Sequence, residues 1–110
     1  MKYTDEDILE MFKALANTSR LQIMQWLSEP GSAFAGLHDH DGHGIPGWGG
    51  VCVGTIQEKA GLSQSATSAF LKVMLNAGLL ESRRDGKWTY YRVCSEAVAA
   101  LADYVEAWRR

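Results

Sequence analysis

Several features are scarce in this sequence of 110 residues, and each scarcity excludes a class of protein. Its two cysteines, 42 positions apart, cannot build a disulfide framework or a four-cysteine zinc site. No apolar run approaches the roughly 20 residues that a transmembrane helix needs, and the N-terminus lacks the charged-then-apolar pattern of a secretion signal. These absences predict a soluble protein of the reducing cytoplasm.

Excess positive charge is also missing from the chain as a whole. Its 11 Lys and Arg face 13 Asp and Glu, which gives a net charge of −2 with neutral histidines and excludes a general polyanion binder. The charge is nevertheless unevenly placed. Residues 1–50 carry a net −4, whereas residues 59–94 contain six basic and two acidic side chains. Any nucleic-acid role would therefore depend on this local excess.

Length and composition fit a single domain over residues 1–110. Hydrophobic residues make up 46% of the chain and charged residues 22%, which is enough apolar material for a buried core. Residues 31–50 differ from the rest, because they hold seven of the 11 glycines and all three histidines. Such a run buries little apolar surface, so we expect a long, mobile loop inserted into the domain.

Apolar spacing and capping residues predict a mostly helical domain with one β-hairpin. Thr4, Asn17, Ser63 and Ser95 are each suited to cap a helix N-terminus. The predicted helices cover residues 5–15, 18–27, 53–60, 64–77 and 96–108, and the predicted strands cover 79–83 and 88–93, with Asp85-Gly86 as their turn. The short connection at residues 61–63 makes a helix-turn-helix, and the hairpin after it completes a winged-helix arrangement.

Five blocks of sequence occur in a familiar order: FKALANTSRL (12–21), GLSQS (61–65), LKVM (71–74), AGLL (77–80) and RRDGKWTYYR (83–92). Together they resemble the ArsR/SmtB family of bacterial winged-helix repressors. The resemblance runs from about Ile8 to Trp108, apart from the Gly/His-rich insertion. It implies a winged helix-turn-helix fold, a homodimer and binding to double-stranded operator DNA.

The start of the fourth helix and the basic hairpin are candidates for DNA contact, although both would also suit an ordinary solvated surface. A recognition helix fits the ~12 Å major groove, where its N-terminal side chains meet bases and phosphates, and Gln64 suits a bidentate contact with adenine. The hairpin tip would lie over phosphates. The predicted DNA-binding residues are Ser63, Gln64, Ser65, Thr67, Ser68, Lys72, Arg83, Arg84 and Lys87.

One position pair departs from the family pattern. Family members generally carry a polar or basic residue followed by a histidine, where this chain has Ala69-Phe70. We expect Phe70 to pack in the core, with contact to the insertion, to a neighbouring helix or to a thymine methyl group as the alternatives. The departure affects which operator would be read more than whether DNA is bound.

The first and last helices carry apolar stripes that a small monomer would not leave exposed. Twofold dimers of winged-helix proteins read two half-sites, and the terminal helices are the natural place for their contact. Packing within one subunit is the alternative. The predicted dimer interface consists of Ile8, Phe12, Val98, Leu101, Val105 and Trp108.

The metal sites that the resemblance implies are incomplete here. The Cys-Val-Cys pattern is reduced to Cys52-Val53-Gly54, and the last helix has Asp103 and Glu106 but no histidine. Other candidates are a divalent transition metal held by the insertion at His38, His40 and His43, and a redox response of Cys52 and Cys94. Solvated histidines and inert thiols are the simpler interpretations.

These patterns predict a homodimeric, sequence-specific DNA-binding transcriptional regulator, a repressor released by an unknown inducer. The alternatives are a metal-binding or redox-sensing protein that uses the histidine loop or Cys52, and a winged-helix module for protein contacts. An enzyme is not expected, because the sequence has no nucleophile–base constellation and the glycine-rich run lacks phosphate-loop spacing.

Overall fold

A computed structural model describes residues 2–37 and 44–110 of the chain. Its elements are, in order, α1 (Asp5–Leu15), α2 (Thr18–Ser28), α3 (Pro30–Ala33), β1 (Val51–Cys52), α4 (Val53–Ala60), α5 (Gln64–Asn76), β2 (Leu80–Asp85), β3 (Trp88–Val93) and α6 (Ser95–Glu106), followed by a 3₁₀ turn (Ala107–Arg109). This order confirms the predicted winged helix. The short α3 and β1 are additions that the sequence analysis did not predict.

Local capping fixes where three of the helices begin. At α1, Thr4 and Asp7 form a reciprocal capping box, in which each side chain accepts a hydrogen bond from the other residue's backbone N–H. At α2, the Asn17 side chain accepts from the Arg20 backbone N–H at 3.0 Å. At α5, the Ser63 hydroxyl oxygen accepts from the Ala66 backbone N–H at 3.1 Å. All three caps were predicted from residue type.

Two boundaries near the C-terminus differ from the prediction. Asp85 pairs with Trp88 in the ladder, so the hairpin turn is Gly86-Lys87 rather than Asp85-Gly86. Gly86 occupies its first position with φ +64°, a left-handed conformation that glycine adopts at little cost. In addition, α6 begins at Ser95 and ends at Glu106, with Cys94 in the N-cap position, so Ser95 does not cap it.

The glycine-rich segment is more ordered than predicted in its described part. The second helix ends at Ser28, just before Pro30, and Pro30 begins the short α3, where a residue without an N–H is tolerated. Phe34 is fully buried and Ile45 nearly so. The expectation of a loop that buries little apolar surface was therefore wrong for residues 31–37 and 44–50, because a few large side chains anchor the glycines between them.

Two clusters of buried side chains hold the domain together. The larger lies between α2, α4, α5 and the sheet and includes Phe34 from the insertion and Leu71 and Met74 from α5. The smaller joins α1 to α6 and includes Ile8 and Ala97. The larger cluster fixes the orientation of α5, and the smaller cluster fixes the orientation of the terminal helices α1 and α6.

The sheet has the strand order β1-β3-β2 and is antiparallel throughout. Alternation along the strands places Leu80, Tyr91 and Val93 toward the larger core cluster. Within residues 2–37 and 44–110, no helix is both long and apolar enough to cross a lipid bilayer.

Candidate nucleic-acid interface

The helix α5 has one buried side and one side open to solvent. Thr67, Leu71 and Met74 recur at helical spacing and are fully buried, which anchors the helix on the larger core cluster. The opposite side and the cap carry exposed hydrogen-bonding groups: Ser63, Gln64, Ser65, Ser68 and Lys72. Five of the predicted DNA-binding residues thus lie on one open surface at and after the helix N-terminus.

Thr67 does not belong to that surface, so its assignment to DNA contact was wrong. Its side chain has 0% exposure. Its hydroxyl donates a hydrogen bond to the Ser63 backbone carbonyl at 2.9 Å, which leaves it no open direction toward a ligand. The helical spacing from Thr67 to Leu71 and Met74 already indicated this inward position.

Phe70 packs inside the domain, as the simpler interpretation expected. It is half-buried against the larger core cluster. The Arg20 guanidinium lies over its ring, 5.6 Å from the ring centre, and the same side chain donates from Nε to the Ala14 carbonyl at 2.7 Å. Arg20 therefore ties the end of α1 to α5, a role that the sequence analysis missed. Ala69, by contrast, is exposed.

We call the hairpin of β2 and β3 the wing. Neighbouring residues of a strand point to opposite faces, so Arg83 and Arg84 lie on different faces of it. Arg84 donates from Nε to the Gly86 carbonyl at 3.2 Å, and the Lys87 ammonium lies 5.5 Å from the centre of the Trp88 ring. All three basic residues are exposed, so the wing presents positive charge at its tip and on both faces.

One residue of the insertion lies against the wing, and the sequence analysis missed it. The ring centre of Trp48 is 4.2 Å from the Arg92 guanidinium carbon and 5.2 Å from that of Arg83. The signal that could have found it is Pro46-Gly47, a dipeptide that favours a tight turn just before the tryptophan.

An open polar helix beside a cationic wing is the arrangement of a DNA-binding module, and the comparisons with known proteins agree. No protein-family model matches the chain. The uncharacterized HTH-type transcriptional regulator YbzH of Bacillus subtilis is 46% identical over 98 residues, which are 89% of this chain and 94% of that protein. The arsenical resistance operon repressor of Escherichia coli K12 is 31% identical, over 92% of this chain and 72% of that protein. This chain belongs to the ArsR family.

Solved structures support the same assignment. A homodimeric winged helix-turn-helix DNA-binding domain from Mycobacterium bovis, from a possible ArsR-family regulator, is 28% identical and superimposes with a TM-score of 0.64 over 96% of this chain and 86% of that one. This chain is therefore a transcriptional regulator and not an enzyme, as the sequence predicted.

The terminal helices of this ArsR-family chain expose a row of large apolar side chains. Phe12 of α1 stacks on Trp108, with ring centres 6.2 Å apart, and Trp108 remains 67% exposed. Val98 and Val105 of α6 are also exposed, whereas Leu101 is half-buried against the smaller core cluster. We call Phe12, Val98, Leu101, Val105 and Trp108 the terminal face.

Ile8 is not part of the terminal face, so its assignment to a dimer interface was wrong. It is 1% exposed and sits in the core cluster between α1 and α6 of its own chain. A partner subunit could not reach it without opening that core.

The candidate sensing residues are the three histidines of the insertion and the two cysteines. His38, His40 and His43 lie outside the described residues, so the metal site stays a prediction. Over the described ranges, no group of three or more His, Cys, Asp and Glu side chains is placed to hold a metal ion. Cys52 and Cys94 are both half-buried and unbridged, and a redox response of these thiols likewise stays a prediction.

Proposed function

We propose that this protein is a homodimeric transcriptional repressor that places α5 in the major groove of operator DNA and lays each wing over flanking phosphates. The observation that carries the proposal is the open row of Ser, Gln and Lys side chains on α5 next to an exposed cationic wing. Base edges accept and donate hydrogen bonds at the groove floor, while phosphates attract the basic wing.

The terminal face supports the homodimer. Its exposed valines and Trp108 are large apolar groups that gain by leaving water, and a second copy offers the same surface by twofold symmetry. The related domain from Mycobacterium bovis is homodimeric. Two α5 helices would then reach half-sites about 34 Å apart, one turn of the duplex.

The Escherichia coli relative is an operon repressor, which supports repression, and we propose that repression occurs by occlusion of a promoter. Its arsenical signal is not transferred to this chain. The segment Cys52-Val53-Gly54 has one cysteine where the family pattern has two, so the thiol ligands that a soft metal prefers are incomplete there. We place the protein in the cytoplasm with the DNA it regulates, and we propose that an inducer releases it from that DNA.

The test is an electrophoretic mobility shift with DNA from upstream of the protein's own gene, followed by footprinting. We expect specific protection of two half-sites and affinity that falls steeply with salt. Gln64→Ala should lower affinity for the specific site by about tenfold and relax the preference at one base position.

Lys13→Ala is the matched control for this test. Lys13 is exposed on α1 and pairs with Glu10 at 3.2 Å. It lies near the C-terminal end of α5, beside Asn76 and Ala77, and not at the N-terminal start of that helix, so its loss should leave the affinity unchanged. Absence of any salt-sensitive, specific shift with the wild-type protein would overturn the proposed function and favour the metal-binding, redox or protein-contact alternatives.

A further inference from the structure

Residues 45–50 of the insertion form a compact structure that we call the Trp48 turn. The Ile45 carbonyl accepts hydrogen bonds from the backbone N–H of Trp48 at 2.9 Å and of Gly49 at 2.7 Å. Pro46 and Gly47 occupy the two central positions, and Gly47 has φ +77°, as the third residue of a type II turn requires. The turn therefore holds Trp48 in one place although glycines surround it.

The Trp48 indole is also held by close packing of its ring against the backbone of Gly50. A Cβ atom on Gly50 would lie 2.6 Å from a Trp48 ring carbon, and Gly50 has φ +86°. Only glycine allows both the contact and the backbone conformation. The indole therefore packs directly on the chain that leads into β1, beside the central strand β3.

Trp48 lies on the wing's outer face, which carries Glu81 and Arg83 of β2 and Arg92 of β3. Arg92 makes three contacts there: its guanidinium lies over the Trp48 ring, its terminal nitrogen donates to the Trp48 carbonyl at 2.8 Å, and its Nε donates to Glu81 at 2.8 Å. Arg83 lies over the same ring at 5.2 Å. One tryptophan thus contacts an arginine from each strand of the wing.

The strand β2 needs such support, because it is an edge strand that pairs with β3 alone among the described residues, and the two-residue β1 reaches only Tyr90 and Tyr91 of β3. A two-stranded ribbon is marginally stable by itself, and a free arginine side chain samples many rotamers. A cation–π contact with an indole restricts the guanidinium while leaving its N–H groups open at the ring's edge.

We propose that Trp48 is a positioning residue for DNA binding: it holds Arg83 in the geometry that meets the phosphate backbone. This inference depends on the proposed function, since it concerns the same interface. It assigns a definite task to the Trp48 turn, residues 45–50 of the Gly/His-rich insertion, which is to support Arg83 on the wing's outer face.

The test compares Trp48→Leu with Trp48→Phe in the full chain. Leucine keeps apolar bulk but has no aromatic face, whereas phenylalanine keeps a face for the guanidinium groups. We expect Trp48→Leu to weaken operator binding by about tenfold, through both wings of the dimer, and Trp48→Phe to stay within about twofold of wild type. Thermal unfolding, measured in parallel, checks that both variants are folded at the assay temperature.

A double-mutant cycle separates positioning from general damage. If Trp48 acts through Arg83, the double variant Trp48→Leu/Arg83→Ala should bind no more weakly than Arg83→Ala alone, and both should show the same reduced salt slope. The inference would be overturned if the losses of affinity in the two single variants added up in the double variant, or if Trp48→Leu bound as tightly as wild type. In either case, specific binding by the wild-type protein would leave the proposed function intact. Failure of the wild-type protein to bind would overturn the function itself.

Discussion

The interface formed by α5 and the wing and the terminal face are both left open by the fold, but with opposite chemistry. Around α5 and the wing, the exposed groups are small hydroxyls, an amide and basic side chains. On the terminal face, Val98, Val105 and Trp108 are exposed without comparable polarity. Polar and cationic surface suits a hydrated polyanion, whereas apolar surface suits a partner that excludes water.

Because the two faces differ in this way, the overall net charge of −2 does not indicate which partners the molecule binds. The negative excess lies in residues 1–50, which have few basic side chains, and the positive excess lies in residues 59–94, which contain α5 and the wing. The two faces therefore attract different partners from one small domain. Breaking each face separately should have separable consequences, and the two losses should differ in size.

The largest effect is expected on the terminal face. Val105→Glu places a charge among apolar groups that we assign to the dimer contact, and burial of an unpaired carboxylate is costly. Sedimentation should show the 12.2 kDa monomer in place of the dimer. Operator affinity should fall by about 100-fold or more, because the two half-sites would no longer be bound by one linked molecule.

Ala99→Glu is the control for that substitution. Ala99 is exposed on α6, about 120° around the helix from Val105, so the same added charge there should leave both the dimer and DNA binding intact. A dimer that survives Val105→Glu would show that the terminal face has another role.

A smaller effect is expected on the wing. Arg84→Ala removes one cation near the tip, so operator affinity should fall severalfold and the slope of log affinity against log salt should flatten by about one unit for each wing that meets a phosphate. Oligomeric state should not change. Lys13→Ala, which removes an equal charge from α1, should leave the slope as it is, and an unchanged slope in Arg84→Ala would argue that the wing does not touch the backbone.

The elements of both faces were largely predictable, because they depend on local signals. Thr4, Asn17 and Ser63 cap helices through side chains acting only three residues away. The third predicted helix coincides with α4, which is followed by Gly61 as its C-cap in the left-handed conformation. Thr67 shows the limit of such reasoning, since its polar side chain suggested DNA contact whereas its spacing indicated burial.

The insertion was not predictable from composition, because its order depends on distant partners. Phe34 is buried beside Trp26 of α2, and the Trp48 carbonyl meets Arg92, 44 positions later in the chain. The high glycine content of the segment does not reveal that Trp48 and two buried apolar residues, Phe34 and Ile45, anchor it. The motif Pro46-Gly47-Trp48 carried the local part of the signal, and the fold supplied the rest.

The smallest effect is expected at the start of α6, where an exposed ion pair joins the two terminal segments away from both faces. The hydrogen bond from Lys2 and its positive charge lower the pKa of the Glu96 carboxyl, and the same contact raises the pKa of Lys2. A carboxylate with a lowered pKa stabilises the fold above its unfolded pKa and loses that contribution as pH falls through the folded value. Glu96→Gln should therefore lower the Tm by about 1 °C at pH 7 and have no effect near pH 2, since exposed pairs contribute little. The control is Glu58→Gln, which changes an exposed glutamate of α4. An equal loss of Tm in both variants would show that the ion pair with Lys2 does not cause the loss.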